Sequence, residues 1–148
     1  MDDKLDTNVT DNLFSVGQKQ LLCLARAALL GAKMMVLDEA TANVDLVTDN
    51  LIQKKLRKGF KDSTVLIIAH RLATVIDSDR ILVMEKGSFA EYDIPFKLLA
   101  NKDSDTSITN TGGWLAKMLA STGEDSAQSL FDIAKEKYET VQNEAQPE

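Results

Sequence analysis

The chain has 148 residues, 44% of them hydrophobic and 27% charged, which is the composition of a globular protein with a real core and not of a disordered one. Its formal net charge of -6 argues against nucleic acid as a partner, because nucleic-acid binders usually carry a basic excess. The lone Cys23 excludes an internal disulfide, and no apolar run approaches the roughly 20 residues of a membrane helix. The acidic start of the chain does not have the pattern of a signal peptide.

A capping box followed by an apolar stripe predicts the first helix. Ser15 can act as its N-cap, and Gln18, three residues on, completes the capping pattern. Gly31 is placed to end the helix. The next segment, 34–37, is an unbroken apolar run, which is typical of a strand covered on both faces in a parallel α/β sheet.

Further helices and strands alternate along the chain. Predicted helices lie near 46–56 with Asp45 as N-cap, near 73–76, and from Pro95 to 99; predicted strands lie at 64–69, 80–84 and 89–92, with a hairpin turn at 86–88. This order is typical of a parallel sheet with crossover helices. A polar linker at 101–113 precedes two short amphipathic helices, and the last residues, 141–148, are expected to fray. We therefore predict an α/β fold with a mostly parallel sheet and flanking helices over 1–100, and a linker with a helical extension over 101–148.

Three polar side chains follow the two predicted buried strands. Asp38 and Glu39 come directly after the first strand, and His70 follows the second. Ligands bind beyond the carboxyl ends of strands in open α/β sheets, where a carboxylate suits Mg²⁺ and a second carboxylate can polarise water. Each feature alone has a plainer interpretation, since an acidic pair often caps a helix and a single histidine is usually structural.

The start of the first helix is a candidate phosphate-binding site. A helix N-terminus offers unpaired backbone N–H groups and a positive dipole end, and Gly17 permits a close approach of the backbone. Ser15 and Gln18 add side-chain donors. Taken alone, these residues favour a plain capping box.

Four segments in this order along the chain resemble the motifs of ABC ATPases, a family of P-loop NTPases. They are Phe14–Arg26, similar to the signature motif; Met34–Thr41, similar to Walker B; Ala42–Asp45, similar to the D-loop; and Ile68–Leu72, similar to the switch-histidine segment. The segment Arg80–Gly87, followed by Glu91 and Tyr92, is similar to the strands that come next in the family. The sequences of these motifs look most like those of the second nucleotide-binding domain of C-subfamily, or multidrug-resistance-associated, exporters. The resemblance covers roughly residues 5–120.

The resemblance implies a role for each candidate residue. Asp38 would hold the shell of Mg²⁺, Glu39 would be the catalytic carboxylate that orients water, and His70 would contact the γ-phosphate of ATP. Two such domains sandwich two ATP molecules head to tail, and Asp45 would couple the halves at this nucleotide-binding interface. The nucleotide held by the opposite domain would be contacted by the signature residues Ser15, Val16, Gly17 and Gln18.

The resemblance also implies ATP hydrolysis that powers transmembrane export, with the transmembrane domains of an exporter as partners and the cytoplasmic face of a membrane as the location. Val16 departs from the family pattern by replacing the first glycine of the signature pair, as is usual in the second domain of C-subfamily exporters. The stretch from Thr10 to Phe14 is shorter than the family norm. The larger departure is that no G-x-x-x-x-G-K-[ST] phosphate loop occurs in this sequence, so we expect a partial domain that is inactive alone.

The sequence leaves two other functions open. The missing phosphate loop favours a non-catalytic interaction module for the chain as written. A soluble ABC protein of DNA repair or translation would have a different sequence in its signature motif or long insertions, and neither is present.

Overall fold

The computed structural model describes residues 13–41 and 44–144; residues 1–12, part of the segment similar to the D-loop and the last four residues lie outside the described residues. The elements in chain order are α1 (Val16–Leu30), β1 (Met34–Asp38), α2 (Leu46–Gly59), β2 (Thr64–Ile68), α3 (Leu72–Val75), β3 (Ile81–Glu85), β4 (Ser88–Asp93), α4 (Pro95–Leu99), α5 (Trp114–Ala120) and α6 (Glu124–Glu144). They form two compact units, Met1–His70 and Arg71–Glu148. None of the helices in the described ranges has the length and apolar character of a membrane span.

Helix α1 begins and ends where its local signals predict. The Ser15 hydroxyl accepts a hydrogen bond from the Gln18 N–H at 3.2 Å, and the Ser15 N–H donates to Gln18 Oε1 at 2.9 Å. This reciprocal pair is the predicted capping box. At the other end Gly31 has φ 58°, a left-handed conformation that costs little for glycine.

The sheet of the first unit pairs β1 with β2 in parallel, as predicted, with Met34 opposite Thr64 and Asp38 opposite Ile68. On one face of this sheet, Met35 and Leu37 pack into a small core against both α1 and α2. The core also contains the buried Leu24 and Phe60, and the partly buried residues around it are Leu21, Ala27, Ala40, Ile52, Leu56, Val65 and Ile67. The opposite face is exposed and apolar, and carries Met34, Val36, Leu66 and Ile68. The expectation that β1 is covered on both faces is therefore wrong, because both described helices of this unit pack on the same face.

The third predicted strand does not extend the parallel sheet among the described residues. Instead β3 pairs with β4 in an antiparallel ladder, which corrects the expectation of one mostly parallel sheet. The cause is the two-residue turn between them, in which Lys86 has φ 49° and Gly87 has φ 76°. Two consecutive left-handed residues match a type I′ hairpin turn, which joins neighbouring antiparallel strands directly. The predicted hairpin is thereby confirmed.

The larger core lies in the second unit and joins the hairpin to the three C-terminal helices. Phe96 of α4 stacks on Tyr138 of α6 at 5.0 Å between ring centroids and meets Phe131 at 5.6 Å. Around these rings pack Ile76, Ile81, Val83, Leu98, Leu99, Ala100, Leu115, Ala116, Leu119, Ala127, Leu130 and Ala134. Helix α6 continues to Glu144, so the predicted fraying is wrong for residues 141–144.

The predicted linker, 101–113, is largely exposed but is held by hydrogen bonds. The Asp105 carboxylate accepts hydrogen bonds from the Asn101 and Lys102 N–H groups, both at 3.0 Å, and from the Thr109 hydroxyl. Lys135 of α6 donates to the Asp105 carbonyl at 2.9 Å. The segment is therefore a defined loop with contacts to the last helix.

Candidate functional site

Three of the predicted polar residues, Asp38, Glu39 and His70, lie where β1 and β2 end. Asp38 is the last residue of β1, and its carboxylate-bearing side chain is exposed. The Glu39 N–H donates to the Ile68 carbonyl at 3.0 Å, which ties the turn after β1 to the end of β2. His70 follows Ile68 by two residues. The parallel register thus brings the ends of both strands to one edge, as strand-end geometry predicts.

The side chains of Glu39 and His70 are in direct contact, through Oε1 of the carboxylate and Nε2 of the imidazole. The side chains are 41% and 82% exposed, respectively. A ligand can therefore reach both groups from solvent. The carboxylate accepts hydrogen bonds, while the imidazole can donate from one ring nitrogen and accept at the other. Together they form an acceptor and a donor at one accessible point.

The backbone at Glu39 is strained. Its φ of 45° lies in the left-handed region, which a residue other than glycine seldom adopts. Such a conformation costs about 1–3 kcal/mol and persists only where neighbouring contacts enforce it, commonly at functional sites. The hydrogen bond to Ile68 is one such contact.

The start of α1 presents the predicted signature residues. In the capping box, the Ser15 hydroxyl accepts a hydrogen bond from the Gln18 backbone N–H, and the Gln18 side-chain oxygen, Oε1, accepts one from the Ser15 backbone N–H. Val16 opens the helix and is 62% exposed, and Gly17 follows it in the first turn. Asp45 caps α2 by accepting from the Thr48 N–H at 3.0 Å. The structure thus brings Glu39 and His70 into contact, while the described side-chain bonds of Ser15 and Gln18 are with each other.

A polar network beside Glu39 was not found by sequence reasoning. Thr41 and Asp49 are buried, and the Gln53 amide donates to both of them at 3.3 Å. The i, i+4 spacing of Asp49 and Gln53 is a sequence signal that they share one face of α2. Nothing in the sequence places Thr41 against that face, because this contact depends on tertiary packing.

The carboxylates at this edge of the sheet fit Mg²⁺ only if the protein supplies few of its ligands. Across the described part of the chain, no three His, Cys, Asp or Glu side chains cluster as a metal site. Mg²⁺ in phosphate sites usually takes one or two carboxylates and completes its shell with water and substrate phosphate. The exposed Asp38 carboxylate offers one hard oxygen of that kind.

Comparisons with known proteins agree with the motifs. A family model described as ABC transporter matches residues 1–42. ATP-binding cassette sub-family C member 4 of Homo sapiens is 48% identical over 137 residues, which is 91% of this chain and 10% of that protein. Bile pigment transporter 1 of Saccharomyces cerevisiae is 52% identical over 118 residues, or 78% of this chain and 8% of that protein. The chain thus spans about a tenth of the length of the curated relatives it matches.

A solved structure gives the same result for the fold. It is a bacterial Atm1-family ABC exporter with ATP bound, and it matches with a TM-score of 0.62 and 32% sequence identity. The match covers 75% of this chain and 18% of that exporter chain.

Proposed function

This chain is part of the nucleotide-binding domain of an ABC transporter, similar to C-subfamily exporters over about a tenth of their length, and we propose that it supplies the water-activating side of an ATP-hydrolysis site. The observation that carries the proposal is the contact between Glu39 and His70 at the ends of two paired strands. Both side chains are accessible to solvent, as side chains that contact a substrate must be.

Each role follows from the chemistry available at this edge of the sheet. The Glu39 carboxylate accepts a hydrogen bond from the attacking water and so aims its oxygen at the γ-phosphorus. With nucleotide bound, the His70 imidazole would donate its hydrogen bond to a γ-phosphate oxygen, where negative charge must be held, in place of the Glu39 carboxylate. Asp38 would hold Mg²⁺ through one carboxylate oxygen, and the bound ion would neutralise phosphate charge.

The start of α1 and the cap of α2 would serve a second nucleotide-binding domain. We propose that Ser15, Val16, Gly17 and Gln18 face the nucleotide bound by that partner domain in a head-to-tail ATP sandwich. The N-terminus of the 15-residue helix α1 supports this role, because backbone N–H groups and the helix dipole favour an anionic phosphate. The exposed Val16 adds bulk there, which fits a partner site of weak hydrolysis. Asp45 would couple the two halves.

The proposed activity needs a phosphate-binding loop, which this sequence does not contain. The bare apolar face of the β1–β2 sheet supports docking of the segment that carries such a loop, because parallel sheets are normally covered by helices on both faces. Transmembrane domains are the further partners proposed, which would put the chain at the cytoplasmic face of a membrane.

Reconstitution tests the proposal. The chain is combined with a segment of a C-subfamily relative that carries G-x-x-x-x-G-K-[ST], and release of phosphate from Mg-ATP is measured. We expect turnover from the mixture and none from either part alone. His70→Ala should reduce turnover, whereas Glu136→Gln, at an exposed site on α6, should leave it unchanged. A folded, associated mixture without ATPase activity would refute the proposal.

The absent phosphate loop also favours a second candidate, a non-catalytic module that acts only through protein contacts. Isothermal titration of the chain with Mg-ATP separates the two. Micromolar binding counts against the interaction module, while an absence of binding both alone and in the mixture supports it.

A further inference from the structure

Three polar side chains join the turn after β1 to helix α2. Thr41 and Asp49 are 7% and 5% exposed, respectively, so both are almost removed from solvent. The Gln53 side-chain nitrogen donates to Thr41 Oγ1 and to Asp49 Oδ1, each at 3.3 Å. An amide nitrogen carries two protons, and this arrangement uses one for each oxygen. Because the acceptors are buried, their partners must come from the protein.

This network lies two residues beyond the strained Glu39. On one side of Glu39, its own N–H is bonded to the Ile68 carbonyl at 3.0 Å. On the other side, with only Ala40 between, the Thr41 side chain is bonded to α2 through Gln53. The left-handed backbone of Glu39 is therefore held between β2 and α2, and its carboxylate points to His70.

We propose that Gln53 is a positioning residue that holds the Glu39 turn so that the carboxylate stays against His70. The inference rests on the hydrolytic role proposed for Glu39, and it adds a residue that acts on Glu39 through Thr41. Asp49 orients the Gln53 amide from one helical turn away, and Thr41 receives it. Loss of the amide releases the turn while both strands remain paired.

The first arm of the test uses the intact chain and its single histidine. In labelled wild-type protein, nuclear Overhauser contacts between the His70 ring and the Glu39 side chain should be visible. Gln53→Leu, which keeps a similar size but removes the amide, should abolish these contacts. Lys55→Leu, an exposed change on the same helix, should leave them intact. Persistence of the wild-type contacts in folded Gln53→Leu would overturn the proposal.

A second variant covers the case in which Gln53→Leu fails to fold. Thr41→Val removes the hydroxyl that accepts from Gln53 and keeps the branched shape of the side chain, so it should lose the same contacts, whereas Thr41→Ser retains the hydroxyl and should keep them. If Thr41→Val keeps the contacts and Thr41→Ser behaves no differently, the network does not position Glu39.

The second arm measures hydrolysis in the reconstituted mixture. Gln53→Leu should lower kcat by roughly 10-fold to 100-fold, the scale of a small misplacement of a reacting group, with KM for ATP little changed. A rise in KM with unchanged kcat would contradict positioning. If wild-type chain itself shows no turnover, the proposed hydrolytic function fails, and the magnetic-resonance contacts still decide whether Gln53 holds the turn.

Discussion

Removing the Glu91 carboxylate should loosen the start of helix α5 from strand β4. Glu91 Oε1 accepts from the Trp114 N–H at 2.7 Å, and Oε2 accepts from the Leu115 N–H at 2.9 Å. These are the first two N–H groups of α5, whose N-cap residue, Gly113, has no side chain to bond them. Glu91, on a different element, therefore acts as the cap.

The size of the effect follows from these two bonds. A hydrogen bond to a charged group contributes about 1.5–3 kcal/mol, and loss of an N-cap side chain costs about 0.5–2 kcal/mol. Part of this is recovered because Trp114 is partly exposed and water can reach its N–H. We expect Glu91→Ala to lower the free energy of unfolding by about 2 kcal/mol, and Glu91→Gln by about half of that.

Urea unfolding measures this change directly. Trp114 is the single tryptophan and lies at the capped end of α5, so its fluorescence reports on this end while circular dichroism reports on all helices. Glu136→Ala, at an exposed position on α6, is the matched control and should leave the midpoint in place. A Glu91→Ala protein within about 0.5 kcal/mol of wild type would refute the capping role.

A double-mutant cycle sharpens the result. A Cβ added at Gly113 would lie 2.9 Å from Glu91 Oε1, which is too close for an ordinary contact. Gly113→Ala should therefore destabilise the wild-type chain more than it destabilises Glu91→Ala. If Gly113→Ala lowers the free energy of unfolding equally in the wild-type chain and in Glu91→Ala, the Glu91 carboxylate is not what excludes a side chain at Gly113.

Two further changes test the second unit. Phe131→Ala, at a fully buried ring, should lower the free energy of unfolding by about 3–5 kcal/mol in urea titrations, whereas a similar loss from exposed Phe89→Ala would contradict the assigned core. The Thr109 hydroxyl, then the Lys102 backbone N–H, lowers the pKa of Asp105 in the folded chain. The stabilisation that the Asp105 carboxylate contributes is therefore complete above the pKa of this group in the unfolded chain and is lost as pH falls through its pKa in the folded chain. The melting temperatures of wild type and Asp105→Asn should converge in acid. A difference in melting temperature that stays constant with pH would contradict this prediction.

Local signals predicted the elements that depend on a few neighbouring residues. The capping box at Ser15, the left-handed Gly31 and the first-turn Pro95 each mark a helix end that the structure confirms. The hairpin at Lys86–Gly87 was predicted for the same reason, since its conformation is set within the turn. Such contacts involve residues three or four apart, and a single sequence contains their full pattern.

Contacts between distant segments were not predictable in the same way. An unbroken apolar run does not reveal which face of β1 a helix covers, and the structure leaves Val36 exposed. Strand-end reasoning did place Glu39 beside His70, because parallel strands end at one edge. It could not find Gln53 or Glu91, whose partners lie 12 and 23 residues away, since nothing local marks such pairs.

Glu39→Gln in the reconstituted mixture tests whether the Glu39 carboxylate activates water for ATP hydrolysis. The change keeps the size of the side chain but removes the carboxylate charge. We predict that phosphate release falls to background while titration calorimetry still detects Mg-ATP binding. Unchanged turnover in this variant would mean that the Glu39 carboxylate does not activate the attacking water.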